Sequence, residues 1–299
     1  MNEPRVSITE PISSRRRAWN GTMRVLLYVS AVIICALLLF LIGYILYRGI
    51  PNLSWEFLTS EESVINDIEG ILPSIVNMVY VIIATLIIVL PLGVGSAIYL
   101  TEYATNKKLV SIIEFATETL SGMPSIIFAL VGMMVFCQAF GLGTSLIAGA
   151  LSLVMMTLPT IIRTTQESLK TVPQSYREGS LALGSGKWHM IRTVVLPSSI
   201  DGIVTGCILA VGRIVGESAI LMFTAGMGMR MAQFGGDSIG EFFSNFFGAA
   251  GSTLTVALYN YAKERADFSS AFAVAVVLLV IALVINVAAK LAGKKLKKN

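Results

Sequence analysis

The sequence predicts an all-α integral membrane protein with six transmembrane helices and both termini in the cytoplasm. Of its 299 residues, 55% are hydrophobic and only 13% are charged, whereas a soluble domain carries about 25% charged residues. Long apolar stretches recur along the chain, and lysine and arginine are concentrated in alternate segments between them. Lipid, not water, is therefore the solvent expected for most of the surface.

Each predicted span is an apolar stretch that reaches or approaches the length needed to cross a bilayer, about 20 residues for a core about 30 Å thick. Arg15–Arg17 precede the first stretch, but it is longer than a signal-peptide core and no A-x-A site follows, so we expect it to be retained. Pro91 is expected to kink the second. The six predicted spans are residues 25–47, 71–100, 124–140, 144–162, 194–223 and 268–291.

Basic residues determine the predicted orientation. The segments assigned to one side carry 17 lysines and arginines, and those assigned to the other side carry three. Cytoplasmic segments are the ones enriched in these residues. Both termini are therefore placed in the cytoplasm, which requires an even number of spans.

The predicted organisation is a cytoplasmic tail at 1–24, a six-span domain at 25–292 and a basic tail at 293–299. The main cytoplasmic loop covers 163–193. The outer loops cover 49–70 and 224–267, and the second of these is rich in glycine and aromatic residues. We expect it to contain a short interfacial or re-entrant helix.

The cytoplasmic loop between the fourth and fifth spans has the pattern of two short helices joined at a glycine. Pro173 can open the first helix, and Gly184 can close it in a left-handed cap. The second helix is expected to place Trp188, Ile191 and Val195 on one face. Such an element suits docking into a groove on a soluble partner.

This loop resembles the EAA loop of importer-type ABC permeases, whose pattern is E-A-A, three residues, G, nine residues and I-x-L-P. Every spacing matches, although small residues replace both alanines and Val194 replaces the isoleucine. The resemblance implies a type I ABC importer permease fold, in which the loop is a coupling helix held by the ATPase. The chain has no G-x-x-x-x-G-K-[ST] motif, so the ATPase must be a separate subunit. The residues that carry the match, and with it the expected coupling role, are Glu178, Gly179, Ser180, Gly184, Leu196 and Pro197.

Four further stretches resemble the phosphate-specific transport permeases, and the last of them favours the A-type over the C-type subunit. They are 97–103, 120–128, 212–219 and 254–260. This resemblance implies inorganic phosphate as cargo and translocation by alternating access in the bacterial cytoplasmic membrane. Sulfate or molybdate remains an alternative cargo, because the residues alone do not fix the anion.

The same resemblance implies a set of partners. They are a sister permease of the C type, an ATPase dimer, an extracytoplasmic phosphate-binding protein and membrane lipid, with no role for nucleic acid. No cofactor is expected on this chain, which is not itself an enzyme, and ATP and magnesium would be used by the partner ATPase.

Arg213 and Glu217 are the two charges that the sequence places firmly inside a span. A charge at the bilayer centre costs roughly 2.5–3.5 kcal/mol on insertion scales. Their i, i+4 spacing predicts one helical face, and glycines at 202, 206, 212 and 216 would allow another helix to approach closely. The pair is interpreted either as a structural salt bridge or as a substrate-pathway site in which Arg213 contacts the phosphate.

Two other function classes fit the sequence less well. A secondary transporter or channel would explain six spans and a buried charge pair, but not the pattern from Glu178 to Pro197. An intramembrane enzyme is disfavoured because the spans contain no HExxH, paired aspartates or G-x-S-x-G motif. The single histidine, His189, and the three isolated cysteines are interpreted as packing or interfacial residues, with no metal site.

Overall fold

The structure is a computed structural model that describes residues 14–62, 69–229, 245 and 248–298. Within these residues all regular secondary structure is helical, which confirms the predicted fold class. The chain divides into two compact units, Met1–Arg48 and Gly49–Asn299. The glycine- and phenylalanine-rich part of the second outer loop, the tip of the first and most of the N-terminal tail lie outside the described residues.

Within the described residues the first unit is one long helix, α1 (Ser14–Gly49, 36 residues). It contains the whole predicted first span and begins at the arginines that precede it. Its large apolar side chains are exposed along its length, Leu39 by 71%. This is the surface expected of a helix whose solvent is lipid.

The second unit contains eleven helices within the described residues, four of which are shorter than eight residues. Four π-helical segments lie between or extend them, at Tyr99–Tyr103, Met133–Ala139, Ile191–Val195 and Asn260–Glu264. The helices are α2 (Trp55–Thr59), α3 (Leu72–Ile98), α4 (Lys107–Ser121), α5 (Ser125–Gly132), α6 (Leu146–Thr171), α7 (Gln174–Ala182), α8 (Lys187–Met190), α9 (Leu196–Gly216), α10 (Ala219–Thr224), α11 (Leu254–Tyr259) and α12 (Phe268–Lys298).

The span count agrees with the prediction only if one bent pair is counted as a span. Five helices are long and apolar enough to cross a membrane, and α4 with α5 and its π-helical extension makes a sixth, bent by 101°. The sequence placed residues 101–122 in a loop, but most of that loop is α4. Its charged side lies against α6, where Glu114 pairs with Lys170 and Glu118 with Arg163.

Helix α6 is at the centre of the second unit. The most apolar 18-residue stretch of α6 is 72% buried, whereas the corresponding stretches of the other long helices are at most 33% buried. Two of the buried hydroxyls of α6 donate to carbonyl oxygens one turn earlier, that of Ser152 to Ala148 at 2.7 Å and that of Thr157 to Leu153 at 2.7 Å. No hydroxyl proton of these two residues is thus left unbonded in an apolar surrounding.

The described end of the second outer loop is a buried segment. The expected short helix is present as α11, and its first four residues, 254–257, are buried. Just before it, the Ser252 carbonyl accepts a hydrogen bond from Asn77 Nδ2 at 3.1 Å, and the Ser252 hydroxyl lies 3.1 Å from that of Ser74. These contacts hold the segment against the start of α3.

The predicted glycine faces of the fifth span differ from one another. A Cβ at Gly202 or Gly206 would collide with the Ser168 or Thr164 side chain of α6, whereas one at Gly212 would meet nothing within 4 Å among the described residues. The first pair therefore allows α9 to pack closely on α6, as expected of small residues in membrane helices.

Replacing Gly206 by valine should separate α9 from α6 and destabilise the chain by about 1–3 kcal/mol, the ordinary cost of overpacking. Thermal unfolding of the purified full chain in detergent would measure the effect. Gly212→Val on the same helix is the matched control. Equal loss of stability in the two variants would contradict this account of the packing.

Candidate functional site

The loop that matches the EAA pattern forms a hairpin of two helices, α7 and α8, joined at Gly184. Pro173 precedes the first helical residue, as predicted, and Gly184 has a φ of +82°. The Gly184 amide donates to the Leu181 carbonyl at 3.0 Å, and the Ser185 amide donates to the Ser180 carbonyl at 3.3 Å. This pair of bonds is the Schellman arrangement that ends a helix in a left-handed residue.

The outer surface of the hairpin carries large exposed apolar side chains, although it faces away from the rest of the chain. Leu183 is 90% exposed, and Leu181, Tyr176 and Trp188 are also exposed. Glu178 and Gly179 are exposed beside them. An apolar surface of this kind on a cytoplasmic loop is typical of a protein interaction site.

The prediction that Trp188, Ile191 and Val195 lie on one face is wrong. Ile191 and Val195 are fully buried, but Trp188 is exposed and Met190 is buried in its place. The reason is the π-helical turn Ile191–Val195. It adds a residue to one turn, so residues seven apart no longer return to the same face of the helix.

The inner side of the hairpin rests on the ends of two spans. One apolar cluster joins the end of α3, the end of α6 and the second arm of the hairpin. It consists of Ala97, Ile98, Leu169, Val172, Met190, Ile191 and Val195. The second arm is continuous with the fifth span: residues Lys187–Gly216 form one candidate span. Leu196 and Pro197 therefore lie within this run, with Pro197 in the first turn of α9.

Two polar contacts join the hairpin to the π-helical segment Tyr99–Tyr103, which extends the end of α3. Arg177 Nη2 lies 2.9 Å from Glu102 Oε1, and Lys187 Nζ lies 4.9 Å from the centre of the Tyr103 ring. Sequence reasoning noted the stretch 97–103 as a resemblance but gave Glu102 no role. Nothing local could have done so, because Glu102 and Arg177 are 75 positions apart.

Arg213 and Glu217, the second candidate site, do not lie on one helical face. The fifth span was predicted as one helix over 194–223, but α9 ends at Gly216 and Glu217 is extended, with φ −84° and ψ 120°. The described residues contain no ion pair between Arg213 and Glu217. The prediction of a shared face was wrong because an i, i+4 pair meets only while the helix continues.

Glu217 is instead engaged at the start of the next helix. Its Oε1 accepts a hydrogen bond from the Ile220 amide at 3.2 Å, and its carbonyl accepts one from the Thr255 hydroxyl at 2.9 Å. Non-helical backbone is tolerated at membrane depth only where it is buried in protein or lines a cavity. The buried first turn of α11, which contains Thr255, supplies that environment. Arg213, in the last turn of α9, is half-buried.

The fold and the surface hairpin together define a class, a multi-pass membrane component of a transport system. The chain belongs to the family described as binding-protein-dependent transport system inner membrane component, whose model matches residues 89–298. It is thus a permease subunit of an ABC importer in the inner membrane. Subunits of this class are transport components, and the ATPase activity and the substrate-binding protein are supplied by partners.

Several named proteins are similar to this chain. The probable ABC transporter permease protein YqgI of Bacillus subtilis (strain 168) is 41% identical over 67% of this chain and 68% of its own length. The phosphate transport system permease protein PstA 1 of Mycobacterium tuberculosis is 29% identical over 94% of this chain and 91% of its own length.

Solved structures show the same fold. A bacterial alginate ABC transporter matches with a TM-score of 0.63 at 14% identity, covering 95% of this chain and 99% of that chain. The MetNI methionine ABC transporter matches with a TM-score of 0.55 at 20% identity, covering 76% of this chain and 94% of that chain. These likenesses concern the fold alone.

Replacing Gly184 by valine should open the end of α7, because a side chain in the left-handed region costs about 1–2 kcal/mol. Amide hydrogen exchange of residues 180–185 would measure it, with faster exchange expected at Gly184's neighbour Ser185. Gly184→Asn is the control, since asparagine tolerates this backbone. Unchanged exchange in the valine variant would show that the cap does not depend on glycine.

Proposed function

We propose that this chain is the membrane subunit of an ATP-driven importer of inorganic phosphate. The observation that carries the proposal is the similarity to PstA 1, a phosphate transport system permease protein, over 94% of the chain. The partners proposed are a sister permease, an ATPase dimer and an extracytoplasmic phosphate-binding protein. One chain would line half of the pathway, and the sister subunit would line the other half.

Arg213 is the residue proposed to contact the anion on its way through the membrane. Its guanidinium fork matches the spacing of phosphate oxygens. Among the described residues no carboxylate lies within ion-pair distance of it, so its charge is available to a passing anion. Glu217 supports this role indirectly, because its carboxylate bonds the Ile220 amide instead of neutralising the arginine.

The hairpin is proposed to dock into a cleft of the ATPase. The exposed side chains of Leu181, Leu183 and Trp188 would fill that cleft, and Glu178 and Gly179 would lie at its edge. Closure of the ATPase dimer on ATP would then draw the hairpins of the two permeases together and open the pathway outward. Hydrolysis would return it inward.

Two alternatives are separated by direct tests. A sulfate or molybdate permease would use the same fork, since these anions also present tetrahedral oxygens. A secondary transporter would need no ATPase, but it leaves the exposed apolar hairpin without a partner. Competition of uptake by phosphate, arsenate, sulfate and molybdate decides the cargo, and copurification of an ATPase decides the class.

Arg213→Gln should lower phosphate uptake by about tenfold or more, because a charge-assisted hydrogen bond contributes about 1.5–3 kcal/mol. Uptake is measured in cells with matched amounts of the variant in the membrane. Arg213→Lys keeps the charge but loses the fork, so partial uptake is expected from it. Wild-type uptake by the glutamine variant would remove Arg213 from the pathway.

Leu183→Ser should release the ATPase from the solubilised complex, because a leucine side chain buried on docking contributes about 1.5–3 kcal/mol. The amount of ATPase that copurifies with the tagged permease is the measurement. Leu109→Ser, which removes an exposed leucine from α4, is the matched control. Full retention of the ATPase by the Leu183 variant would count against docking at the hairpin tip.

A further inference from the structure

Two adjacent residues at the cytoplasmic end of the second span each contact one arm of the hairpin. Glu102 pairs with Arg177 on the first arm, and the ring of Tyr103 lies under Lys187 at the start of the second arm. The end of α3 is therefore joined to both sides of the element that the ATPase is proposed to move.

The Arg177–Glu102 pair differs from the other ion pairs of this surface in its burial. Its side chains are 12% and 7% exposed, whereas those that join α6 to α4 are at least 40% exposed. Exposed pairs contribute little because water screens them. A shielded pair behaves differently, since removing one partner leaves the other charge buried and unpaired.

The guanidinium of Arg177 also caps the carboxyl end of the fourth span. Besides two bonds to Glu102 Oε1, at 3.1 and 2.9 Å, it donates to the Leu169 carbonyl at 2.8 Å and to the Val172 carbonyl at 2.6 Å. The Leu169 carbonyl belongs to the last turn of α6, where helices leave carbonyl groups without intrahelical partners. One side chain thus joins α7, the end of α3 and the end of α6.

The first arm has little else to hold it. None of the residues of α7 is buried, whereas the second arm is anchored by Met190, Ile191 and Val195. A force applied to α7 would therefore reach the second and fourth spans through Arg177 and through the backbone at the two ends of α7.

We propose that Arg177, held by Glu102, is the positioning residue through which movement of the hairpin reaches the second and fourth spans. The inference rests on the proposed docking of the hairpin to an ATPase. It does not depend on which anion is carried. Loss of the pair should leave the motor attached and hydrolysing ATP while the spans no longer follow it.

The test uses the complete transporter, with both permeases, the ATPase and the binding protein, in proteoliposomes. Uptake and ATP hydrolysis are measured in the same vesicles and divided to give cargo moved per ATP. Arg177→Gln and Glu102→Gln should each lower this ratio by at least about fivefold, the low end of ordinary coupling between two sites. The ATPase should remain bound in both variants.

Three further variants sharpen the result. The double variant Glu102→Gln with Arg177→Gln should lose less than the product of the two single losses, because no unpaired charge remains buried. Arg177→Lys should be intermediate, since one ammonium cannot reach all three partners of the fork. Arg163→Gln, which breaks the exposed ion pair between α6 and α4, should keep the wild-type ratio.

A second readout separates this inference from the phosphate proposal. In the wild-type complex, ATP binding should change amide hydrogen exchange both in the hairpin, 174–195, and at the end of α3, 97–104. In Arg177→Gln the change should be confined to the hairpin. This holds even if the wild type imports an anion other than phosphate, a result that would overturn the cargo alone.

The inference is overturned if both single variants keep the wild-type ratio of cargo to ATP. It is also overturned if they merely reduce the amount of assembled complex while each assembled complex transports normally. Exchange at 97–104 that still responds to ATP in Arg177→Gln would have the same consequence.

Discussion

The structure depends on one constraint: in lipid, every backbone polar group must find its partner within the protein. Regular helix satisfies this along most of the described residues, and the buried hydroxyls of Ser152 and Thr157 in α6 also donate to their own helix. Where the helix stops, at Glu217, another segment of the protein takes over. Thr255, in the first turn of α11, donates to the carbonyl that is freed there, and this requires α11 to pack against the break.

The same constraint limits where charged side chains can form ion pairs. The ion pairs described above lie at the ends of spans, where water is close. At the cytoplasmic end these contacts divide into two kinds. Those between α4 and α6 are exposed and weak, whereas Arg177 is shielded and bonds from α7 to the ends of the second and fourth spans. Burial, not charge alone, therefore distinguishes a surface pair from a structural joint.

The sequence predicted the features that depend on neighbouring residues. Apolar length predicted the spans, and the glycine after α7 predicted its left-handed cap, which the φ of Gly184 confirms. Prediction from the sequence failed where contacts between distant residues determine the structure. The break at Glu217 depends on Thr255, 38 positions away, and the role of Glu102 depends on Arg177. The amphipathic α4 was missed because its charged residues suggested a loop, although they face partners on α6.

The two candidate sites are parts of one mechanical element. The run from Lys187 to Gly216 contains 30 residues, which at 1.5 Å per residue makes a rod about 45 Å long. One end is the second arm of the hairpin, and the last turn at the other end carries Arg213. If the ATPase moves the hairpin as proposed, this run would carry the movement to Arg213 directly. The proposed role of Arg177 would add α3 and α6 to the same movement.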